Sequence, residues 1–172
     1  MRTTLSVFLL VFSMAFIAQN SFAQKYLKKN EQTVFSFKTK DSTKIIVAVD
    51  TNEKYIVCRL GDYLQSKMEF PTKDTSSWRK IGFYSYLRPH DGKGNGLDLN
   101  NITFVVKDTR YVIYENYVEG EKDDIGISLY NLSGQQINDR KYIKKSNKGS
   151  LINLRSYRDK MGIGSESYEN HN

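Results

Sequence analysis

Residues that form covalent or metal cross-links are scarce in this chain. It contains one cysteine, Cys58, and two histidines, His90 and His171, among 172 residues. An internal disulfide is therefore excluded, and a zinc site, which needs several cysteine, histidine or carboxylate ligands, is not expected. In a strand with a period of two, Cys58 lies on the same face as Ile56 and Leu60, which predicts a buried structural thiol.

Signatures of catalysis and of nucleotide binding are also missing. No serine lies in a recognisable nucleophile turn, and His90 is the one credible base. The run Gly92, Gly94 and Gly96 has the spacing of neither a P-loop nor a dinucleotide fingerprint, and the acidic and amide residues around it do not follow EF-hand spacing. The sequence therefore predicts a non-enzymatic protein without metal or cofactor, in which the glycine run is a flexible hairpin loop.

The long apolar run of this chain lies at the amino terminus. Residues 5–18 are apolar, Arg2 precedes them, and the small-x-small pattern "SFA" follows at residues 21–23. This pattern predicts a signal peptide at residues 1–23 and a mature start near Gln24. The run is shorter than a membrane span of about 20 residues, and cleavage leaves no terminal cysteine for a lipid anchor. We expect an extracytoplasmic protein, periplasmic or secreted, that is not lipid-anchored and does not stay inserted in the membrane.

The formal net charge is +7, and the chain stays basic when Arg2 is removed. Such a surface attracts acidic proteins and anionic envelope polymers by its long-range field, or it serves solubility alone. Nucleic acid is not expected as a partner, because the exported chain carries no recognisable binding motif.

Apolar and polar residues alternate along most of the remaining sequence. In "TKIIVAVD", for example, Ile45, Val47 and Val49 share one face, and no window keeps helical spacing for more than two turns. The alternating segments are residues 34–38, 43–50, 54–60, 67–70, 80–87, 99–107, 110–118, 125–132 and 135–143. We predict an all-β fold, a single antiparallel barrel or sandwich of about eight to nine short strands, mostly a meander because the connections are short.

The ends of the chain lack this alternation. We therefore expect a loose segment at residues 24–32, one β domain at residues 33–154 and a polar, disordered tail at residues 155–172.

The strand that leads into the glycine-rich loop carries the candidate binding residues. Alternation places Tyr84, Tyr86 and Arg88 on the face opposite Phe83 and Ser85. Aromatic rings beside a guanidinium suit stacking on sugars or anchoring a protein partner. The alternative is that these tyrosines pack beneath a loop.

The signal peptide, the small all-β domain and the stretch from Ser85 and Arg88 through "ITFVVKDTRYVIYE" resemble the periplasmic and membrane-bound inhibitors of C-type lysozyme. The resemblance covers about a third of the chain, and it implies that Ser85 and Arg88 enter the lysozyme cleft with Lys107 nearby. The sequence departs from the family pattern at Tyr86 and Pro89, and its single cysteine cannot form the family's usual disulfide.

Two classes of function follow. The first is a non-enzymatic binding protein with a protein partner, such as an inhibitor of a wall-degrading enzyme. The alternative is a module that binds a carbohydrate or envelope polymer. The candidate partner-binding residues are Tyr84, Ser85, Tyr86, Arg88 and Lys107.

Overall fold

The structure is a computed structural model and describes residues 26–62, 65–90 and 94–163. The predicted signal peptide and the chain after residue 163 lie outside the described residues. None of the helices in the described chain is long and apolar enough to cross a membrane.

Within these residues the chain forms eleven strands and two 3₁₀ helices. The strands are β1 (Glu31–Lys38), β2 (Lys44–Asp50), β3 (Ile56–Gly61), β4 (Ser66–Phe70), β5 (Gly82–Arg88), β6 (Leu97–Val106), β7 (Thr109–Val118), β8 (Asp124–Asn131), β9 (Gln136–Lys141), β10 (Lys148–Gly149) and β11 (Gly162–Ile163). The first 3₁₀ helix is Thr75–Lys80 and the second is Leu151–Lys160. The nine longer strands coincide with the nine alternating segments to within a few residues at each end.

The strands form two sheets, each built from a meander. The first sheet has the order β10-β1-β2-β3-β4, and the second has the order β11-β5-β6-β7-β8-β9. Neighbours pair antiparallel except β11, which runs parallel to β5. Short turns such as residues 107–108 between β6 and β7 keep consecutive strands adjacent. The prediction of an all-β meander is confirmed, and of the two architectures expected the structure shows the sandwich.

The core lies between the inner faces of the two sheets. The first sheet contributes Phe35, Ile45 and Val47, and the second contributes Ile102 and Ile113; all five are fully buried. Burying each such side chain stabilises the fold by about 1.5–3 kcal/mol. Cys58 also lies in this core, which confirms the prediction of a buried cysteine. Burial raises the pKa of its thiol above the ordinary value.

The amino-terminal segment covers the outer face of the first sheet, so the prediction of a loose segment at residues 24–32 is wrong for its described part. Tyr26 is 1% exposed and packs with Ile46 and Val57 on that face. Its hydroxyl donates to the carbonyl of Gln65 at 2.8 Å. The central strands of the first sheet are apolar on both faces. The second sheet covers only their inner face, so the amino-terminal segment is needed to bury the apolar outer face.

A buried ion pair also holds the amino-terminal segment against the first sheet. Arg59 is 1% exposed, and its guanidinium donates to both carboxylate oxygens of Glu31 at 2.7 Å and to Glu69 at 2.6 Å. It also donates to the carbonyl of Tyr26 at 2.7 Å. Burial alone raises the pKa of Glu31, but Arg59 and the N–H of Lys28 together hold the pKa below its ordinary value. The charge is therefore fully partnered, as burial of an ionised group requires.

The carboxyl-terminal boundary predicted at residue 154 is also wrong. The second 3₁₀ helix closes the sandwich with Leu151 and Leu154 buried, and Met161 beyond it is 2% exposed. Tyr157 stacks on Trp78 of the first 3₁₀ helix with ring centroids 5.0 Å apart. The domain thus extends at least to residue 163. The segment is polar because it lies over one end of the core and buries only a few of its side chains.

Candidate functional site

The pairing of β5 with β6 decides which predicted residues share a face. Ser85 lies opposite Asn100 and Tyr84 lies opposite Asn101. Phe83 is buried in the core, so Ser85 points inward and the alternate residues Tyr84 and Tyr86 point to the outer face of the second sheet. Both tyrosines are half-buried there.

Ser85 is part of the scaffold, which corrects its expected role as a partner-binding residue. Its hydroxyl donates to Oδ1 of Asn100 at 2.8 Å and accepts from Nε of Arg155 at 2.7 Å. Arg155 belongs to the second 3₁₀ helix and also forms an ion pair with Asp98. At this end of the sandwich the inner face is therefore polar, and its hydrogen bonds hold the helix against the sheet.

Arg88 and His90 organise the long loop between β5 and β6. Arg88 is exposed, and its Nη2 donates to the carbonyl of Asn95 at 3.0 Å. Nδ1 of His90 lies 2.8 Å from Glu119, which also accepts from the N–H of Gly96 at 2.9 Å. The Gly96 N–H, followed by His90, holds the pKa of Glu119 below its ordinary value. Residues 91–93, which include Gly92, lie outside the described part of the loop.

Lys107 does not lie near Arg88, which corrects the arrangement implied by the resemblance. Arg88 pairs with Leu97 at the start of β6, whereas Lys107 follows Val106 at its end. Ten extended residues separate two points by about 30 Å. Lys107 instead has a φ of 53° in the turn to β7, where left-handed backbone is required.

The outer face of the second sheet holds a depression of about 320 Å³. Its lining comes from β6, β7, β8 and β9 and consists of Asn101, Val112, Tyr114, Asn116, Asp124, Ser128, Tyr130, Gln136, Asp139 and Lys141. We call these residues the outer-face site. The register places Tyr84 in the same row as Asn101 and Tyr114, so the strand selected from the sequence lies beside this site on the same face of the sheet. From β5 to β9 the face spans about 19 Å, because neighbouring strands lie about 4.8 Å apart.

A glycine shapes the depression. A Cβ atom at Gly126 would lie 2.3 Å from the hydroxyl of Tyr114. Because the glycine has no side chain, the tyrosine crosses β8 and donates to Asp139 at 3.0 Å. Ser128 donates to the same carboxylate oxygen at 2.6 Å. Burial, followed by Asp139, raises the pKa of Tyr114 to about 12, so its hydroxyl remains a neutral donor at physiological pH.

Lys141 completes the floor of the outer-face site. Its ammonium lies 4.8 Å from the centre of the Tyr114 ring and 2.7 Å from Asp124. Burial lowers the pKa of Lys141, but the bonds to Asp124 and Tyr114 outweigh it and raise the pKa above its ordinary value. The lysine is therefore charged and held in place, and it orients the two carboxylates of the site.

The site offers unused hydrogen-bonding groups beside aromatic rings. In the described chain, the side-chain amides of Asn101, Asn116 and Gln136 make no hydrogen bond to another described residue. Tyr130 borders them, with the guanidinium of Arg110 over its ring at 5.1 Å. Planar amides beside a half-buried ring can bind a ligand that carries both hydroxyls and an apolar face.

Sequence reasoning selected the β5 edge of this surface and missed its centre. The segment "RYVIYENYV" already places Val112, Tyr114 and Asn116 on one face. It does not indicate that Gly126 and Lys141 lie across from Tyr114, because that depends on the pairing of three strands, β7, β8 and β9.

No family model, curated protein or solved structure matches the chain. Among the residues that the structure describes, no group of three or more histidine, cysteine, aspartate or glutamate side chains is arranged to hold a metal ion.

Proposed function

We propose that this protein is a non-enzymatic, extracytoplasmic binding protein that recognises a glycan of the cell envelope through the outer-face site. The observation that carries the proposal is the group of three amides, Asn101, Asn116 and Gln136, which make no hydrogen bond to another described residue and lie beside the half-buried ring of Tyr130.

The chemistry of these groups matches that of a sugar. A pyranose ring has an apolar face that stacks on an aromatic ring, and its hydroxyls both donate and accept hydrogen bonds. Each amide supplies a carbonyl acceptor and two N–H donors in one plane. Asp124 and Asp139 add acceptors that Lys141 holds in place. Tyr84 and Tyr86 extend the surface beyond the depression, which suits a polymer better than a single small molecule.

The lysozyme-inhibitor hypothesis has less support. It requires Ser85, Arg88 and Lys107 to act together, but Ser85 is bonded within the scaffold and Lys107 lies at the other end of β6. Of the three residues, Arg88 is exposed and remains available to a protein partner in the way that the hypothesis requires.

The test is co-sedimentation of the protein with purified peptidoglycan sacculi, together with calorimetric titration of soluble sacculus fragments. We expect saturable binding to sacculi that falls about tenfold or more in the double variant Asn101→Ala/Asn116→Ala, because each lost amide removes hydrogen bonds to the ligand. The matched control is Asn153→Ala, an exposed asparagine on the second 3₁₀ helix, and it should bind as wild type does.

Equal binding by the double variant and wild type would refute the outer-face site. Inhibition of a C-type lysozyme that is lost in Arg88→Ala and kept in the double variant would support the protein-partner alternative in place of the glycan.

A further inference from the structure

A second cavity, of about 350 Å³, lies between the two sheets at the end formed by the β1–β2 turn, the end of β3 and the start of β4. We call it the end cleft. Its apolar walls are Leu60, Met68, Tyr111, Ile127 and Leu129. All five residues also belong to or pack against the main core cluster, so the end cleft continues the core toward solvent.

One wall of the end cleft, at Tyr111, is supported by aromatic packing. The rings of Phe70 and Phe104 stack at 5.1 Å, and those of Phe104 and Tyr111 stack at 5.3 Å. This column connects the two sheets and fixes one wall. Met68, Tyr111 and Leu129 remain half-buried around the opening, so apolar surface that an end cap would normally cover is left for a ligand.

The rim of the end cleft carries two ion pairs. Arg140 lies 3.2 Å from Asp41 and donates to the hydroxyl of Thr43, also at 3.2 Å. Lys67 lies 3.0 Å from Asp62. The side chains of all four charged residues are between a third and two thirds exposed, and such pairs stabilise a fold by at most about 1 kcal/mol.

The rim cations can therefore turn to a ligand at little cost. Asp41 accepts hydrogen bonds from Thr39 and from the N–H of Thr43 as well as its contact with Arg140. These bonds, and then the guanidinium, hold the pKa of Asp41 below its ordinary value. If Arg140 swings to another carboxylate, Asp41 keeps its other partners.

We propose that the end cleft binds a medium-chain aliphatic carboxylate, with the chain between the sheets and the carboxylate at the rim against Arg140. Its volume lies in the range of about 300–1,000 Å³ found for small-molecule sites. A guanidinium matches a carboxylate with two parallel hydrogen bonds, and the net charge of +7 favours an anionic ligand over a cationic one. This site is separate from the outer-face site, because Tyr111 and Tyr114 lie on opposite faces of β7.

The experiment is calorimetric titration of the full chain with sodium decanoate, and in parallel with decanol. We expect one decanoate per chain at saturation. Leu129→Trp fills the cavity and should weaken binding about tenfold or more. The matched control is Ile137→Trp, because Ile137 is 59% exposed on the neighbouring strand β9, and its affinity should equal that of wild type. Met68→Trp, on the opposite wall, repeats the test if Leu129→Trp does not fold.

The charged rim is tested by Arg140→Gln, which should weaken decanoate binding about fivefold and leave decanol binding unchanged, because the alcohol has no charge to lose. Absence of saturable decanoate binding, wild-type affinity in both tryptophan variants, or an equal loss for decanoate and decanol in Arg140→Gln would overturn the proposal.

Discussion

Glu115 is a half-buried carboxylate of β7 that contacts the start of the second 3₁₀ helix. It accepts from the hydroxyl of Ser150 at 2.7 Å and from the N–H of Leu151 at 2.6 Å, so it caps the second 3₁₀ helix from the neighbouring sheet. Burial, and then repulsion by Asp98, raises the pKa of Glu115 above its ordinary value despite these bonds. Folding therefore stabilises the neutral form of Glu115 relative to the charged form.

We therefore predict that Glu115→Gln removes one component of the pH dependence. A carboxyl whose pKa is raised in the folded state contributes stability below its unfolded pKa and loses it as pH rises through the folded pKa. Relative to the glutamine variant, wild type should become progressively less stable as pH rises from about 4 toward 7. Urea unfolding at a series of pH values measures this, with exposed Glu121→Gln as control. A stability difference that does not change with pH would contradict the prediction.

The absence of a side chain at Gly126 leaves the space that Tyr114 occupies in the outer-face site. We predict that Gly126→Ala displaces Tyr114, because the new Cβ would come within 2.3 Å of its hydroxyl and 2.8 Å of the Arg140 carbonyl. The substitution should destabilise the fold by about 1–3 kcal/mol, the range for overpacking, and abolish sacculus binding. Gly94→Ala is the control, since its Cβ would meet no atom closer than 3.7 Å. Thermal unfolding and co-sedimentation are the two measurements, and a stable variant that still binds would show that the position of Tyr114 is not needed.

At the scale of elements, the polar segment that forms the second 3₁₀ helix and β11 contributes three buried side chains to the core, Leu151, Leu154 and Met161. Ser150 accepts from the N–H of Ile152 at the start of the helix, and Met161 donates its N–H to the carbonyl of Arg158 at the end. The helix is held by Arg155 on one side and by the Trp78–Tyr157 stack on the other. Its place depends on side chains from the second sheet and from the first 3₁₀ helix.

The packing of this element predicts that Met161→Ala destabilises the protein by about 2–5 kcal/mol, the range for truncating a buried methionine. Ile152→Ala is the control on the same helix, because Ile152 is 41% exposed and should contribute far less. Urea unfolding monitored by Trp78 fluorescence measures both. If Met161→Ala were as mild as the control, the segment after residue 160 would not belong to the folded domain.

For the whole molecule, the question is whether the positive net charge or the shape of the outer-face site controls binding. Amides and rings interact at short range and are little affected by salt, whereas a long-range field is screened beyond about 8 Å at physiological ionic strength. We predict that raising the salt to about 0.5 M changes sacculus binding by less than about threefold. Co-sedimentation across a salt series measures this. A steep loss with salt would assign the binding to the basic surface in general.

The strands and their faces were predictable from local sequence. Alternation in "TKIIVAVD" and "RYVIYENYV" reflects the period of two of an extended chain, and short turns such as that at Lys107 place consecutive strands side by side. The same rule gave the outward direction of Tyr84 and Tyr86. It erred at the termini, because Tyr26 and Met161 find apolar contacts with residues distant in sequence, and no local period records such contacts.

The sequence by itself therefore determined the fold class, the meander and the buried cysteine, since each depends on spacing along one segment. Tertiary structure alone decided that Ser85 is bonded within the scaffold, that Lys107 lies about 30 Å from Arg88, and that Asn101, Tyr114 and Lys141 share one surface. Those outcomes depend on strand register and on which chain covers each face. Register is set by the summed packing of whole strands, so it cannot be read from the residues that it brings together.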